Sequence, residues 1–241
     1  MDNKDFDWKK FWKQYRNIDF KCENDLFIQV GKTINGSPIS AITFKLMLED
    51  IVENLALSKN DVIMEMCCGN GLLTLPLSEF VYEIYAFDFT EHLIDTAKKT
   101  RKNKNITYEV CDANEDFFKK FKIINFPGKY LMNDSLGYFK PIDLKKIIIN
   151  IKKEIPNFNL YITGIPNYDL KWNFYNTEER RLEYFTDISN GEISGRGIGY
   201  WWKMSELADI AKDLNLSYKI NDQHSMISSY RSNILFSNEK N

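Results

Sequence analysis

The sequence has few of the residues that build metal and redox sites. Its 241 residues include only two histidines and four cysteines. Zinc sites use Cys-x-x-Cys pairs or Cys/His clusters, and thiol redox sites use Cys-x-x-Cys, but Cys67 and Cys68 are adjacent and no second pair exists. The sequence therefore predicts no metal site and no redox pair.

An excess of one charge and long apolar runs are also missing. Lys and Arg total 32, Asp and Glu total 34, and the net charge of −2 gives no general attraction to nucleic acid or to an anionic membrane. No run approaches the ~18 apolar residues of a membrane span, and the N-terminus has no apolar signal segment. We therefore expect a cytoplasmic protein with reduced thiols, no membrane partner and no nucleic-acid partner.

What the sequence does have is a regular alternation of elements. Apolar residues make up 44% of the chain, enough for a buried core. After about residue 60, short apolar runs alternate with helical patterns, which predicts βαβ units and a parallel sheet. The predicted strands are 62–66, 83–89, 105–112, 128–135, 158–167, 217–224 and 229–237. The predicted helices after residue 60 are 71–80, 91–103, 113–121, 141–155 and 205–216, the last with Ser205 as N-cap.

The domain organisation follows from this alternation. Residues 1–58 contain helical patterns at 7–15 and 40–57 but are too few to form a core, so we predict a helical cover over the sheet. Residues 59–241 form the main part of what we expect to be a single domain. Within it, residues 168–200 are aromatic, charged and irregular, and we interpret them as a substrate-specificity insertion.

The segment EMCCGNG, residues 65–71, places glycines directly after the first predicted parallel strand. It lacks the GxxxxGK[ST] sequence of a P-loop. It also departs from the GxGxxG turn of NAD-binding domains, because Thr74 stands at the third glycine position. Asp88, at the end of the next strand, can accept ribose hydroxyls of any nucleoside cofactor. A glycine turn that only packs a helix on a strand remains an alternative at this point.

Every second residue of this segment (Glu65, Cys67, Gly69 and Gly71) resembles the E/D-x-G-x-G-x-G turn of class I S-adenosylmethionine (AdoMet) methyltransferases, with Cys67 replacing the first glycine. Later segments resemble the family's other motifs: YAFDFTEHLIDTAKK, YEVCDANEDF and YLMNDSLGYF. The resemblance runs from about residue 60 to the C-terminus. It implies an α/β, Rossmann-like seven-stranded mixed sheet, with six parallel strands and one antiparallel strand, flanked by helices.

The resemblance also implies AdoMet as the cofactor and assigns residues to it. Asp88 would accept the ribose hydroxyls, Asp112 would accept from the adenine amino group, and Ala113 would donate its backbone N–H. The residues expected to contact the cofactor are Glu65, Cys67, Cys68, Gly69, Asn70, Gly71, Asp88, Phe89, Asp112, Ala113, Asn133 and Tyr15. Tyr15 lies in the N-terminal segment, which closes over the cofactor in many small bacterial methyltransferases of this kind.

In this topology the ends of the fourth, fifth and sixth strands of the sheet face the substrate. The expected catalytic residues are His224, Asp134 and Tyr138, and the expected substrate contacts are Lys32, Tyr168, Arg196, Tyr230 and Arg231. His224 has the pKa range of a general base, although a surface turn histidine explains it equally well. The cations among these residues suggest a pocket for a phosphorylated or carboxylated acceptor, with solvated surface charges as the alternative.

The predicted function is O-methylation of a small polar acceptor: a sugar, a nucleotide-sugar or a phosphoryl-type precursor of a surface glycan, hence a role in polysaccharide biosynthesis. The [ND]-P-P-[YFW] motif of amino-methylating nucleic-acid enzymes is absent, since the sequence is NDSLGY at 133–138. The alternatives are an N- or C-methyltransferase of a small metabolite, a non-catalytic AdoMet-binding protein and, less favoured because of Thr74, an NAD-dependent oxidoreductase. We expect a monomer or a homodimer.

Overall fold

The computed structural model describes residues 7–190 and 198–238. The helices in these ranges are α1 (Trp8–Gln14), α2 (Glu23–Gln29), α3 (Ala41–Asn54), α4 (Thr74–Leu77), α5 (Glu91–Thr100), α6 (Pro141–Glu154), α7 (Lys171–Phe174), α8 (Glu178–Ser189) and α9 (Met204–Asp213). The strands are β1 (Thr33–Ile34), β2 (Ser37–Pro38), β3 (Val62–Met66), β4 (Glu83–Asp88), β5 (Ile106–Val110), β6 (Lys129–Asn133), β7 (Asn159–Pro166), β8 (Ser217–Asp222) and β9 (Arg231–Ser237). None of the helices in this part of the chain is both long and apolar enough to cross a membrane.

Seven of the described strands form one sheet in the order β5-β4-β3-β6-β7-β9-β8. Strands β3 to β7 pair in parallel, and β9 runs antiparallel to both β7 and β8. Six strands therefore share one direction and β9 opposes them, which confirms the predicted mixed sheet. The carboxyl ends of β3, β4, β5, β6 and β7 meet at one edge, where open α/β sheets bind their ligands.

Alternate residues of the central strands pack into two cores, one on each face of the sheet. Met64 and Met66 belong to a core that includes residues of α6 and α9, whereas Ile63 lies in a second core with residues of α3, α4 and α5. Burial of each such side chain contributes about 1.5–3 kcal/mol. Because both faces are covered, β3 is apolar along its length except at Glu65.

Two helices predicted in the main domain are shorter or of another type in the structure. The helix predicted over 71–80 is regular only over Thr74–Leu77. Pro76 lies in its first turn and has no N–H for the carbonyl of Leu72, which limits the helix on the side toward Gly71. The helix predicted over 113–121 is a 3-10 turn, Phe117–Lys120.

Ser205 is not the N-cap of α9. Lys203 takes that position, and its backbone N–H donates to Glu206 Oε2 at 2.9 Å. The error is a shift of two residues, which is common where a helix end is read from side-chain type alone.

Residues 168–190 are less irregular than the sequence suggests. The twelve-residue helix α8 crosses this segment, and its N-cap Thr177 accepts a hydrogen bond from the backbone N–H of Arg180. The sequence analysis missed α8 because its aromatic and charged residues gave no clear apolar stripe. The link between β8 and β9, predicted as a short turn, spans residues 223–230.

The N-terminal segment contains α1, α2, a β1–β2 hairpin and α3. The hairpin turns at Asn35 and Gly36, whose φ angles of 51° and 82° suit the right-handed twist of a two-residue hairpin. The sequence analysis predicted α1 and α3 but missed α2. Helix α2 carries the buried residues Leu26 and Gln29 toward the turn after β3.

Candidate active site

The turn after β3 lies at the edge where the parallel strands end, and two of its glycines cannot be replaced freely. Gly69 and Gly71 have φ angles of 56° and 75°. A Cβ at Gly69 would lie 2.8 Å from Cγ1 of Val30, and one at Gly71 would lie 2.6 Å from Oη of Tyr108. Both positions therefore need glycine for backbone conformation and for space.

Asp88 connects the end of β4 to this turn. Its Oδ2 accepts a hydrogen bond from the Gly69 N–H at 3.1 Å, and its Oδ1 accepts one from the Thr90 N–H at 2.8 Å. The residue is only 7% exposed. Burial raises the pKa of Asp88, and the two hydrogen bonds oppose that shift. Each carboxylate oxygen has lone-pair capacity for a second donor, so Asp88 can hold the turn and also accept from a ligand hydroxyl.

Thr74, which stands where NAD-binding turns have a third glycine, makes a specific contact with Glu65. The Thr74 hydroxyl donates to Glu65 Oε2 at 2.6 Å, and Glu65 is 2% exposed. Burial raises the pKa of Glu65 to about 7, although the Thr74 hydrogen bond pulls it down. Thr74 therefore has a structural role of its own at this position, as the hydrogen-bond partner of a buried acid.

We expect this raised pKa to make stability depend on pH. Between the ordinary value of 4.5 and about 7, the folded protein keeps a proton on Glu65 that the unfolded chain has released. Stability must then fall as pH rises through that window. Glutamine does not titrate, so Glu65→Gln should not lose stability over this window. The difference in the free energy of unfolding, variant minus wild type, should therefore increase by up to about 3 kcal/mol from pH 4.5 to pH 8. Urea denaturation across this range measures the difference, and parallel stability curves would contradict the assignment.

Cys67 also adopts the left-handed region, with φ of 58°, although it carries a side chain. A glycine there would relieve strain of roughly 1–2 kcal/mol but would add entropy to the unfolded chain. We therefore expect Cys67→Gly to leave the free energy of unfolding unchanged or to raise it by up to about 1 kcal/mol. The matched variant Cys68→Gly empties a buried position in the α3–α5 core and should lower it. Urea denaturation measures both variants, and a clear loss of stability in Cys67→Gly would contradict the strain at this position.

The end of β5 supplies the next residues predicted to contact the cofactor. Asp112 Oδ1 accepts from the Asn114 N–H at 2.9 Å, and its Oδ2 forms an ion pair with Lys9 of α1. Ala113 is buried and Phe89 is half-buried. Asp112 and Ala113 thus lie at the same sheet edge as Asp88, as the sequence pattern indicates.

The N-terminal segment covers the glycine turn through several polar contacts. The side-chain amide of Asn70 donates to the carbonyl of Leu26 at 2.9 Å and to Gln29 Oε1 at 2.8 Å. Glu23 and Arg101 form an ion pair between α2 and the end of α5. Each contact joins the segment before residue 30 to a residue that flanks the candidate cofactor site.

Aromatic residues of α1 extend this cover toward the end of β6. The Trp8 and Trp12 rings lie 4.7 Å and 5.5 Å from the Tyr138 ring, measured between centroids. Tyr15 packs on Trp12, and its hydroxyl would lie 3.5 Å from a Cβ at Gly31. The structure therefore brings Tyr15 and Tyr138 to one cluster.

Asp134 is the centre of a charged group at the end of β6. It forms an ion pair with Lys32 through Oδ2, and Arg231 Nη1 donates to its Oδ1 at 3.2 Å. Lys32 Nζ also donates to Asn133 Oδ1 at 2.7 Å. Burial tends to raise the pKa of Asp134, but the charges of Lys32 and Arg231 outweigh it and hold the pKa below its ordinary value. Asp134 is therefore an ionised hydrogen-bond acceptor and a poor proton acceptor.

Of the remaining predicted substrate and catalytic residues, some lie close to the charged group around Asp134 and others do not. Tyr230 lies beside Arg231, whose guanidinium carbon is 5.3 Å from the Tyr230 ring centroid. Tyr168 is exposed, with Lys171 Nζ 3.8 Å from its ring centroid. His224 is exposed in the β8–β9 connection, and its Nδ1 accepts from the Met226 N–H within that turn. Arg196 lies outside the described residues.

Sequence reasoning missed several residues that shape this site. Gly164 in β7 has φ of 73°, and a Cβ there would lie 1.5 Å from Asp134 Oδ1. A lone glycine inside a strand pattern is a known signal for close approach of another group, and it was present in the sequence. Lys9 and Gln29 gave no local signal, because their partners are distant in the chain.

Residues 63–153 match a protein-family model described as "Methyltransferase domain". The structure is similar to that of a magnesium protoporphyrin IX methyltransferase from Synechocystis solved with bound SAH, with a TM-score of 0.58 and 14% identity over 96% of this chain and 95% of that one. At this identity the structural likeness shows the fold alone. Together with the family model, it confirms the predicted class I AdoMet-dependent methyltransferase domain.

Two curated relatives are named as ribosomal RNA methyltransferases. A 23S rRNA (uracil(1939)-C(5))-methyltransferase from Francisella tularensis subsp. novicida is 33% identical over 120 residues, which is 48% of this chain and 25% of that protein. A ribosomal RNA small subunit methyltransferase A from Mesomycoplasma hyopneumoniae is 33% identical over 133 residues, or 50% of this chain and 48% of that protein. The chain thus spans half or less of the length of these relatives.

These relatives contradict the prediction that nucleic acid is not a partner, and that prediction is wrong. It was based on the balanced net charge and on the missing [ND]-P-P-[YFW] motif. Net charge describes the whole surface and does not exclude a local contact with phosphate. The motif belongs to enzymes that methylate amino groups, whereas the first relative is named for methylation of a carbon atom.

Proposed function

We propose that this chain transfers the methyl group of AdoMet to an oxygen atom of a polar acceptor held beside Asp134. The observation that carries the proposal is the arrangement of Asp88 against the glycine turn. Its buried carboxylate holds the Gly69 N–H, and both of its oxygens have capacity for ligand hydroxyls. A nucleoside cofactor with two ribose hydroxyls fits this arrangement.

The residues at the sheet edge fit AdoMet in charge as well. Two buried acids, Glu65 and Asp88, lie within electrostatic range of each other, and Asp112 follows on the neighbouring strand. These acids suit a cofactor that carries a sulfonium, an amino group and an adenine amino group. When bound, AdoMet supplies an electrophilic methyl group on its sulfonium. Glycine at positions 69 and 71 lets the turn take its left-handed backbone conformation with Val30 and Tyr108 packed against it.

The chain's own residues then have to align an acceptor with that methyl group, and alignment alone can supply much of the acceleration. Asp134 stays ionised and can accept a hydrogen bond from an acceptor hydroxyl. Burial raises the pKa of Tyr138, so its hydroxyl stays neutral and can donate. These groups orient an acceptor and are poorly suited to removing a proton. An acceptor hydroxyl that gains the methyl group releases its proton to solvent, whereas an acceptor that is already an oxyanion has no proton to lose. The aromatic residues of α1 pack on Tyr138 beside this cluster.

Transfer of tritium from methyl-labelled AdoMet tests this proposal. Two pools from the source cells are tested as acceptors: total RNA and an RNA-free small-molecule fraction. RNA is included because the curated relatives are named as ribosomal RNA methyltransferases. We expect the wild type to label one of the pools and Asp88→Ala to label neither. Equal labelling by both proteins, or no labelling of either pool, would contradict the proposed transfer.

A further inference from the structure

We propose that the acceptor carries an oxyanion, a carboxylate or a phosphate, and that Arg231 and Asn133 bind it next to Asp134. This inference rests on the proposed function, because it concerns the acceptor side of the same site. It starts from a simple imbalance. Two cations, Lys32 and Arg231, share a single carboxylate, that of Asp134.

The imbalance matters because these charges are largely removed from water. The side chains of Lys32, Arg231 and Asp134 are 12%, 16% and 26% exposed. An uncompensated charge in such a place is costly unless an opposite charge joins it. Burial lowers the pKa of Lys32, and the carboxylate of Asp134 opposes that shift. A bound oxyanion would supply that charge.

Unused hydrogen-bond donors point the same way. Asn133 Oδ1 accepts from Lys32, but its Nδ2 is buried and has no hydrogen-bond partner among the described residues. Arg231 has five N–H donors, and its hydrogen bonds to Asp134 and to the Gly164 carbonyl both come from Nη1. A planar oxyanion or a phosphate can accept from a second edge of the guanidinium and from the amide together.

The other buried acids of the site do not supply the missing charge. Glu65 lies within electrostatic range of Lys32, but burial raises its pKa to about 7, and its Oε2 already accepts from Thr74. Asp112 is paired with Lys9. The acids thus lie on the cofactor side, and the surplus cation lies on the acceptor side.

Arg231 is also too far along the sheet to belong to the glycine turn. It begins β9, and β9 is three strands away from β3 in the sheet. At about 4.8 Å per strand, the separation is roughly 14 Å. Arg231 reaches Asp134 on β6 and not the turn after β3. It is therefore a specificity-determining residue for the acceptor and not a cofactor ligand.

The same chemistry is offered by a small phosphate or carboxylate compound and by the phosphate groups of an RNA. The test begins with protein saturated with S-adenosylhomocysteine (SAH), so that the cofactor side is filled. Inorganic phosphate, acetate and a twelve-nucleotide RNA of mixed sequence are titrated by calorimetry, with glycerol as a neutral probe. The variants are Arg231→Gln and the isosteric Asn133→Asp, and the control is Lys98→Gln on the exposed face of α5.

We expect at least one anionic probe to bind the wild type, and each variant to weaken it by about tenfold or more. Lys98→Gln should bind as the wild type does, and glycerol should not bind. Binding of phosphate or acetate indicates a small acceptor. If the RNA binds and inorganic phosphate does not, the acceptor is a polymer. Either result supports the oxyanion site. Equal binding by wild type and both variants, or no anion binding, would overturn it. If Arg231→Gln does not fold, Asn133→Asp decides alone. Failure of SAH itself to bind would instead defeat the proposed function.

Discussion

Asp88→Ala is expected to weaken SAH binding by about 10- to 100-fold, or roughly 1.5–3 kcal/mol, which is the range for hydrogen bonds to a charged partner. The carboxylate has two roles at once. It accepts from the Gly69 and Thr90 backbone N–H groups, and it has the remaining capacity to accept from ribose hydroxyls. Alanine removes both, so the glycine turn loses a support and the ligand loses its acceptor.

Isothermal titration calorimetry of SAH measures this effect, and two further variants separate its causes. Asp88→Asn keeps the shape and one acceptor oxygen, so its loss should be smaller than that of Asp88→Ala. Asp209→Ala removes an exposed carboxylate of α9 and should leave the affinity unchanged. Thermal unfolding of each variant shows whether it is folded. A folded Asp88→Ala protein with wild-type affinity would refute the ribose assignment.

Gly164→Ala is the second substitution with a large expected effect. A Cβ at this position would lie 1.5 Å from Asp134 Oδ1 and 3.2 Å from Asp134 Cα, so the carboxylate must move. Its movement would disturb the ion pairs with Lys32 and Arg231. The left-handed φ of 73° adds strain of its own. Together these effects should lower the free energy of unfolding by about 3 kcal/mol or more.

Two other glycines provide matched controls for this substitution. Gly36 has a similar φ of 82°, but a Cβ there would meet nothing within 4 Å. Gly36→Ala therefore measures the backbone strain alone, about 1–2 kcal/mol. Gly128 also has open space and lacks the left-handed φ, so Gly128→Ala should change little. Urea denaturation compares the three variants. A loss in Gly164→Ala no greater than that in Gly36→Ala would contradict the close packing of β7 on Asp134.

The features that the sequence predicted are those with local signals. The apolar run Val62–Met66 and the glycines that follow it define a buried strand and its turn, and Asp88 stands at the end of the next strand. Each depends on a short stretch of chain, so residue type and spacing suffice to predict it. The order of such units predicted a parallel sheet, and the resemblance to class I AdoMet methyltransferases implied the antiparallel strand, which is β9.

What the sequence could not predict depends on residues distant in the chain. Lys9 is joined to Asp112, and Lys32 to Asp134, across about a hundred residues. A charged residue has the same local pattern whether it is solvated or paired, so the sequence left Lys32 open between an anion pocket and a solvated surface charge and gave no role to Lys9. Helix α8 was missed for a related reason, because its aromatic residues pack against Trp172 and not along a regular apolar stripe.

Calorimetric titration of SAH into the wild-type protein tests whether the glycine turn and Asp88 form a site for AdoMet. NAD⁺ is titrated under the same conditions, since Thr74 distinguishes the two kinds of turn. We expect saturable binding of one SAH per chain and no comparable binding of NAD⁺. Absence of SAH binding at millimolar concentration, or tighter binding of NAD⁺ than of SAH, would contradict it.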